Sequence, residues 1–463
     1  MSTSDRPPVS VIVLNHDGLE HLETCLDSLT GVRFPRGPVE IILADNGSRD
    51  TSVAFTRERF PGVRVLDFGA NHGFAGGNNL AAREARGEVV VFLNNDTRVD
   101  PAFLEPLVEP VLEDAATATG SLILSFDGHR VLYKGGRANL FGFGYQIGLG
   151  DESRGSEKDA APFETLFPCG CATAMRRDTF LRTGGFDEDF FAYYEDVDLG
   201  WRTWLLGGKV LVVPRSVVYH KHDGSFGKVS SPRKQLLWNR NVLFLLFKNC
   251  EEASLRRILP LAILLTLERA TYFLHQETDE ERSAVQTMFA SIVDDERREQ
   301  EIRDVGIAHL RAVGEFVASL PGLREKRERI QSARSLDDAE LRSRFPQELT
   351  FEDQVNGLVH PSWHDRLLPL FELDGLLGKT SIEGHLFSRL EKLEDSVLDY
   401  RRTVDTLGEE LVRKTRDQDE KAAHLDRMAA HITDLERDRA ELFRLRSKAW
   451  FKAIQRLGRL LGR

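Results

Sequence analysis

The chain has 463 residues, 41% of them hydrophobic and 29% charged, so it is long enough for two or three units with apolar cores. Its formal net charge of −11 argues against a protein that binds nucleic acid by neutralising phosphates. Four cysteines cannot form a disulfide framework and fit a reducing, cytoplasmic setting. We expect neither a secretion signal at residues 1–8 nor a membrane-spanning helix, since no apolar run reaches roughly 18 to 20 residues.

The first half of the chain, residues 9 to about 228, alternates short β-rich runs with amphipathic segments. Near-continuous apolar runs are typical of buried parallel strands. Four β-rich runs, the third weaker than the others, are 9–14, 39–44, 63–68 and 89–93. This alternation predicts an α/β domain with a mostly parallel sheet covered by helices on both faces.

Polar residues follow three of these runs directly: Asn15, Asp45 and the segment Asn94-Asn95-Asp96. Ligands bind beyond the carboxyl ends of strands in such sheets. Amides and a carboxylate after a buried strand are costly without partners, and hard oxygen ligands suit Mg²⁺ or Mn²⁺. The alternatives are a helix N-cap or Asx turn at Asp45 and a capped turn at Asp96.

A glycine-rich turn at residues 71–79 opens a helix, where backbone amides can approach a ligand closely. It matches neither the dinucleotide-binding nor the Walker pattern, so the sequence does not indicate NAD or ATP phosphate binding.

Residues 184–202 combine six acidic side chains with aromatic ones, which would raise a carboxylate's pKa toward that of a useful base. Glu195 and Asp196 are predicted to begin a helix that runs through Trp204. The alternative is an acidic first helical turn, favoured by the helix dipole. After an apolar strand at 210–213, His220 or His222 would complete a metal site, although a lone histidine is more often structural.

These segments, in this order, resemble family 2 glycosyltransferases, which have the GT-A fold, and among them the bacterial rhamnosyltransferase-like subgroup. The matching segments are 9–16, 44–48, 71–79, 92–97 and 190–202. A helical stretch with Arg240-Asn241 and residues 324–327 also resembles the extension of that subgroup.

The resemblance implies an inverting, metal-dependent transfer from a nucleotide-diphosphate sugar to a hydroxyl of a glycan or lipid-linked acceptor, in cell-surface polysaccharide assembly. Asp196 would be the catalytic base with Glu195 as the fallback, and Asp96 with His220 would bind Mg²⁺ or Mn²⁺. The residues expected to contact the donor are Asn15, Asp45, Asn78, Asn94, Asn95 and Arg202, although Arg202 has helix support as its alternative role.

The sequence departs from the family pattern in two places. Asn94 replaces the first acid of the D-x-D motif, which leaves fewer anionic metal ligands. The Q-x-x-R-W motif of processive synthases lacks its arginine at residues 235–238, which favours a single addition. The Cys169-Gly-Cys171 segment lacks partner ligands for zinc and is interpreted as a buried loop.

Beyond a first domain at 1–228, we predict a helical extension at 229–380, broken near Pro321, with no catalytic constellation. A heptad seam predicts a coiled coil at 381–447 and hence a homo-oligomer, the alternative being a long helix packed on its own domain. Residues 448–463 are predicted to form a basic amphipathic helix suited to an anionic membrane surface, the alternatives being a solvated helix end or a helix packed against the acidic body of the protein. We therefore expect a cytoplasmic protein, with this tail as the candidate for peripheral contact at the inner face of the membrane.

Two other function classes remain open. A nucleotidyltransferase also uses strand-end acids and a metal, but would need a basic glycine-rich loop that residues 15–20 do not supply. A non-catalytic scaffold would use the coiled coil alone.

Overall fold

The computed structural model describes residues 8–221, 231–275, 285, 286, 289, 292, 294–345 and seven positions between 427 and 437. The positions of the predicted heptad seam, the basic tail at 448–463 and His222 lie outside the described residues.

The described part of the chain holds twelve strands. They are β1 (Val9–Asn15), β2 (Val39–Asp45), β3 (Arg64–Asp67), β4 (Val89–Asn94), β5 (Thr97–Val99), β6 (Ala118–Ser125), β7 (Val131–Tyr133), β8 (Gly136–Ala138), β9 (Gly144–Gln146), β10 (Phe163–Glu164), β11 (Ala172–Arg176) and β12 (Val210–His220).

The same part of the chain holds ten α-helices. They are α1 (Leu19–Thr30), α2 (Ser52–Arg59), α3 (Gly73–Glu84), α4 (Leu104–Leu112), α5 (Arg177–Arg182), α6 (Glu195–Leu205), α7 (Pro232–Asn249), α8 (Glu252–Leu274), α9 (Asp295–Ala333) and α10 (Asp338–Arg344).

Eight strands form the main sheet in the order β10-β12-β6-β11-β4-β1-β2-β3, with β5 and β7 paired at its side. Strands β3, β2, β1 and β4 are parallel, whereas β11 runs antiparallel to both of its neighbours. The four parallel strands are the four predicted runs, and the α/β fold class is confirmed. The apolar residues of β4 and most of those of β1 are buried, whereas β3, at the edge of the sheet, is only partly buried.

Strand β12 positions the site because it is bent. Its register against β6 shifts between Val213 and Val217, around Pro214, which cannot donate a ladder hydrogen bond. Beyond the shift, β12 continues along β6 and also pairs with β5, so that His220 lies opposite Thr97. Asp96, directly before β5, and His220, at the end of β12, are thereby brought side by side.

The helical extension packs on the sheet domain within one compact unit, whose principal span is Met1–Gln347. Its core is α7, against which α9 packs along much of its length. The predicted break at Pro321 is wrong, because α9 continues through it. Proline removes one hydrogen bond to the carbonyl of Val317, and Val317 is 54% exposed, where water can replace that bond. No helix among the described residues has the length and apolar character needed to cross a membrane.

Candidate active site

The ends of β1, β2 and β4 are joined by one side-chain network around Asn15. The Asn15 amide nitrogen lies 3.1 Å from Ser48 Oγ and 3.4 Å from Asp45 Oδ1, and its oxygen accepts from Asn95 at 2.8 Å. The backbone N–H of Ser48 also donates to Asp45. The structure therefore brings Asn15, Asp45 and Asn95 together, as expected for carboxyl ends of adjacent parallel strands.

Asp96 faces His220 across the junction of β5 and β12. Asp96 Oδ1 lies 3.0 Å from His220 Nε2, and both side chains are largely buried. Burial alone would raise the pKa of Asp96, but the hydrogen bond and charge of His220 outweigh it and leave the pKa below its ordinary value. Although 124 positions separate them in sequence, the two predicted metal ligands are neighbours in space.

Whether a divalent cation fits this pair depends on the metal-ligating atoms that the two side chains offer. Within the described ranges, no group of three or more His, Cys, Asp or Glu side chains is placed to hold a metal. A carboxylate with one imidazole nevertheless suits Mn²⁺, and Mg²⁺ commonly takes one or two carboxylates and completes its shell with water and substrate phosphates. The pair fits a cation whose remaining positions are filled by a bound diphosphate.

A cavity of about 340 Å³ opens beside this pair. Its wall includes three of the predicted site residues from α6 and β12: Glu195, Asp196 and His220. Asn94, at the end of β4, also lines the cavity. The segment 94–96 thus reaches three places, since Asn94 lines the cavity, Asn95 contacts Asn15 and Asp96 contacts His220.

Asp196 and Glu195 begin α6, as predicted, but their environments differ. The Asp196 carboxylate accepts hydrogen bonds from the backbone N–H groups of Gly170 and Val197, both at 2.8 Å. Burial raises its pKa, and these bonds limit the rise. Glu195 is 6% exposed, its Oε2 has no partner among the described residues, and burial with the Asp196 charge raises its pKa well above the ordinary value. Asp196 is therefore better suited than Glu195 to carry the negative charge, because the surroundings of Glu195 favour its neutral form more strongly.

The loop before these acids is held in an unusual backbone conformation. Phe191, Tyr193 and Tyr194 all have positive φ angles, between 62° and 69°, which cost of order 1–3 kcal/mol each for non-glycine residues. The side-chain amide of Asn241, on α7, donates to the carbonyls of Phe190, Ala192 and Tyr193 at 3.0, 2.9 and 2.7 Å. The helical extension thus stabilises the loop that places Glu195 and Asp196.

Asn241 is the residue that sequence reasoning did not assign to the site. The resemblance singled out Arg240-Asn241, but only as a mark of the extension. An asparagine in the middle of an apolar helical stretch was the available signal, because a buried amide requires hydrogen-bond partners.

Arg202 lies apart from the cavity, in a buried ion network behind α6. Its guanidinium donates to Asp198 and to the carbonyls of Thr183 and Gly185. Lys248 lies 3.0 Å from the other Asp198 oxygen and also pairs with Asp187. Burial would raise the pKa of Asp198, but these cations outweigh it and lower the pKa. The contacts of Arg202 match its alternative role, helix support, and we leave it out of the proposed site.

The glycine-rich turn supports the site from behind. Gly73 has φ +72°, and a Cβ there would lie 2.4 Å from the Phe191 carbonyl oxygen, so only glycine allows this approach. Asn78 is buried and donates to the carbonyl of Phe74 within its own helix. The structure places Asn78 behind Phe74, which itself lines the cavity.

Cys169 and Cys171 also line the cavity, and Cys171 is buried. Neither belongs to a group of metal-ligating side chains within the ranges described. We keep the interpretation of this segment as a loop. The Gly170 N–H between the two cysteines donates a hydrogen bond to the Asp196 carboxylate.

The chain is similar in sequence to known glycosyltransferases. The model of the family described as glycosyl transferase family 2 matches residues 10–183. The chain is 32% identical over 241 residues to N-acetylglucosaminyl-diphospho-decaprenol L-rhamnosyltransferase of Mycobacterium tuberculosis, covering 47% of this chain and 77% of the relative. It is 30% identical over 227 residues to O-antigen biosynthesis protein RfbC of Myxococcus xanthus, covering 47% of this chain and 18% of the relative. Among solved structures, GalNAc-T7 with UDP, GalNAc and Mn²⁺ aligns at 19% identity and TM-score 0.45, covering 55% of this chain and 50% of that one.

Proposed function

Because the chain belongs to glycosyl transferase family 2, and within it to a rhamnosyltransferase-like group, we propose that it performs a metal-dependent, inverting sugar transfer. The donor is a nucleotide-diphosphate sugar, and the acceptor is a hydroxyl group of a glycan or lipid-linked molecule.

One observation carries this proposal: Asp196 and His220 line the same cavity, and Asp96 contacts His220. A single displacement needs a base on the acceptor side and charge compensation on the leaving diphosphate. Asp196 offers the first and the Asp96–His220 pair supports the second. No covalent intermediate is needed, so the anomeric centre would be inverted.

Each group of site residues has its own role in the proposed reaction. The network of Asn15, Asp45 and Asn95 binds the base and ribose of the donor through amide and carboxylate oxygens. Asp96 and His220 would hold the divalent cation, which as a Lewis acid would offset charge on the diphosphate oxygens. Asp196 accepts the proton of the acceptor hydroxyl while the N–H groups of Gly170 and Val197 fix its carboxylate. Glu195, protonated, limits the negative charge beside it.

The names of two relatives indicate the class of acceptor that we propose for this chain. One relative is named for a diphospho-decaprenol acceptor and another for O-antigen biosynthesis. We therefore place the reaction in cell-surface polysaccharide assembly, at the cytoplasmic face of a membrane. The regions predicted at 381–447 and 448–463 would supply the oligomer and the peripheral membrane contact.

A panel of nucleotide sugars tests the proposal. Purified full-length protein should hydrolyse or transfer from one of them only when Mg²⁺ or Mn²⁺ is present, and EDTA should remove the activity. The acceptor-free hydrolysis assay requires no knowledge of the acceptor. A nucleotidyltransferase would instead release inorganic diphosphate from a nucleoside triphosphate, which would overturn the proposal.

A further inference from the structure

The rim of the cavity carries a group of side chains that the mechanism does not use. We call Tyr193, Arg233, Lys234 and Trp238 the aromatic–cationic cluster. Tyr193 lines the cavity, is 38% exposed, and packs edge-on against Trp238 of α7 at 5.9 Å between ring centres. Lys234 Nζ lies 4.8 Å from the centre of the Trp238 ring and 5.4 Å from that of Tyr193. The cluster therefore begins where the cavity meets solvent.

The two cations of this cluster have no anionic partner in the part of the chain that the structure describes. The other cations of α7 are paired, Arg240 with Glu315 and Lys248 with Asp187 and Asp198. Arg233 lies over the Phe191 ring, 5.2 Å from its centre. Lys234 is half-buried, and burial lowers its pKa. In a chain with 73 acidic and 62 basic residues, two adjacent cations without an anionic partner among the described residues, one of them 5.4 Å from the ring of the cavity-lining Tyr193, favour an anionic ligand.

Two further observations point to a ligand at this place. Glu195 Oε2 is buried in the cavity wall without a hydrogen-bond partner among the described residues, as expected for a group that meets substrate. Tyr193 is held at the rim by its left-handed backbone and by Asn241. Strain of this kind persists where the surrounding structure enforces it, commonly at ligand sites.

We propose that Arg233 and Lys234 bind a phosphate or diphosphate group of the acceptor, with Tyr193 and Trp238 contacting the adjoining sugar. The assignment rests on the proposed function, in which Asp196 meets the acceptor hydroxyl. Tyr193 lines the same cavity as Asp196, and we assign the cluster to the acceptor, because the donor's expected contacts are at Asp45 and Asp96. Guanidinium and ammonium groups match phosphate oxygens, and aromatic faces offer apolar area with little entropy cost.

Decyl diphosphate serves as the probe for this site. Its binding to the full-length protein is measured by isothermal titration calorimetry with EDTA present and without nucleotide sugar. The double variant Arg233→Gln/Lys234→Gln should raise the Kd about tenfold or more, while Lys234→Arg should keep it near the wild-type value. Neutral decyl glucoside should bind the wild type and the double variant equally. Arg57→Gln, which removes an exposed cation from α2 beside the opposite sheet edge, should change nothing.

Several outcomes would overturn the inference. They are no binding of decyl diphosphate by the wild type, an unchanged Kd in the double variant, or an equal loss for the neutral glucoside. Weakened binding of a nucleoside diphosphate with normal binding of decyl diphosphate would assign the cations to the donor instead. If the protein transfers sugar but does not bind decyl diphosphate, only the proposed phosphate site is refuted, because the titration contains no nucleotide sugar. A protein that binds the probe but never transfers sugar contradicts only the proposed function.

Discussion

The side-chain amide of Asn241 donates to the backbone carbonyl of Tyr193 at 2.7 Å, although 48 positions separate the two residues. The same amide also holds the carbonyls of Phe190 and Ala192. A residue of the helical extension thus fixes the backbone that leads into Glu195 and Asp196. The extension is therefore part of the scaffold of the candidate active site.

Asn241→Ala should lower both stability and turnover. It removes an amide whose two N–H groups serve three carbonyls of a strained loop, at about 1 kcal/mol per hydrogen bond, and a misplacement of the base near 1 Å costs about 100-fold in kcat. Asn239→Ala is the matched control, because Asn239 is a buried asparagine of the same helix whose contacts, Gln235 and Arg269, lie away from the loop. Steady-state kinetics and urea unfolding of both variants measure this. Equal loss of kcat in both would reduce Asn241 to a general stabiliser.

Asp96→Ala should abolish transfer and weaken the Mn²⁺-dependent binding of a nucleoside diphosphate. The variant removes the carboxylate of the metal pair, leaving His220 alone. Calorimetry with and without Mn²⁺ gives the metal-dependent part of the affinity. Asp67→Asn serves as control, since Asp67 is an exposed strand-end carboxylate on β3. A metal effect that survives in Asp96→Ala would refute the assigned ligand.

Asp196→Asn should reduce kcat by about 10²–10⁴-fold, the usual contribution of a general base, whereas Glu195→Gln should keep most of the activity because glutamine mimics the protonated acid. Burial raises the pKa of Asp196, so kcat/KM should fall with decreasing pH through a pKa above that of an ordinary aspartate. A pH profile from 4 to 8 tests both statements. Full turnover by Asp196→Asn would remove it as the base.

Lys248→Met should destabilise the fold by about 3–5 kcal/mol, because it leaves Asp187 and Asp198 as buried charges without this cation. Lys134→Met, which breaks a more exposed pair with Asp151, should cost about 1 kcal/mol or less. The pKa of Asp198 is lowered in the folded state despite burial, so its stabilisation is present above the ordinary aspartate pKa. It is lost as pH falls through the lower folded-state value. Urea unfolding at pH 7 and at pH 3, which is below the ordinary aspartate pKa, should therefore show a smaller Lys248→Met effect at the lower pH.

Removal of the chain after residue 380 should convert an oligomer into a monomer. The heptad seam predicted at 381–447 buries its apolar positions only against another helix. Light scattering of the full-length and shortened proteins gives the two masses. Monomers in both cases would refute the coiled-coil prediction.

Several features of the molecule could be predicted from the sequence because they depend on local patterns of residues. Buried parallel strands require continuous apolar runs, so β1, β2 and β4 could be located, and with them the polar residues at their carboxyl ends. The start of α6 at Glu195 and Asp196 could also be predicted, because helix N-termini favour carboxylates. Family resemblance then pointed to Asp96, Asp196 and His220.

Tertiary structure alone decided which of these groups meet. The bend of β12 places His220 against Asp96, and such a register shift depends on pairing with two other strands. Asn241 reaches the 190–193 loop because α7 packs there, and Arg202 turns to Asp198 because Lys248 and backbone carbonyls complete that buried network. Local patterns determine strands, helices and their polar ends, since those depend on neighbours in the chain. Contacts between distant residues depend on how the elements pack, and that packing separated the cavity residues from those that only support it.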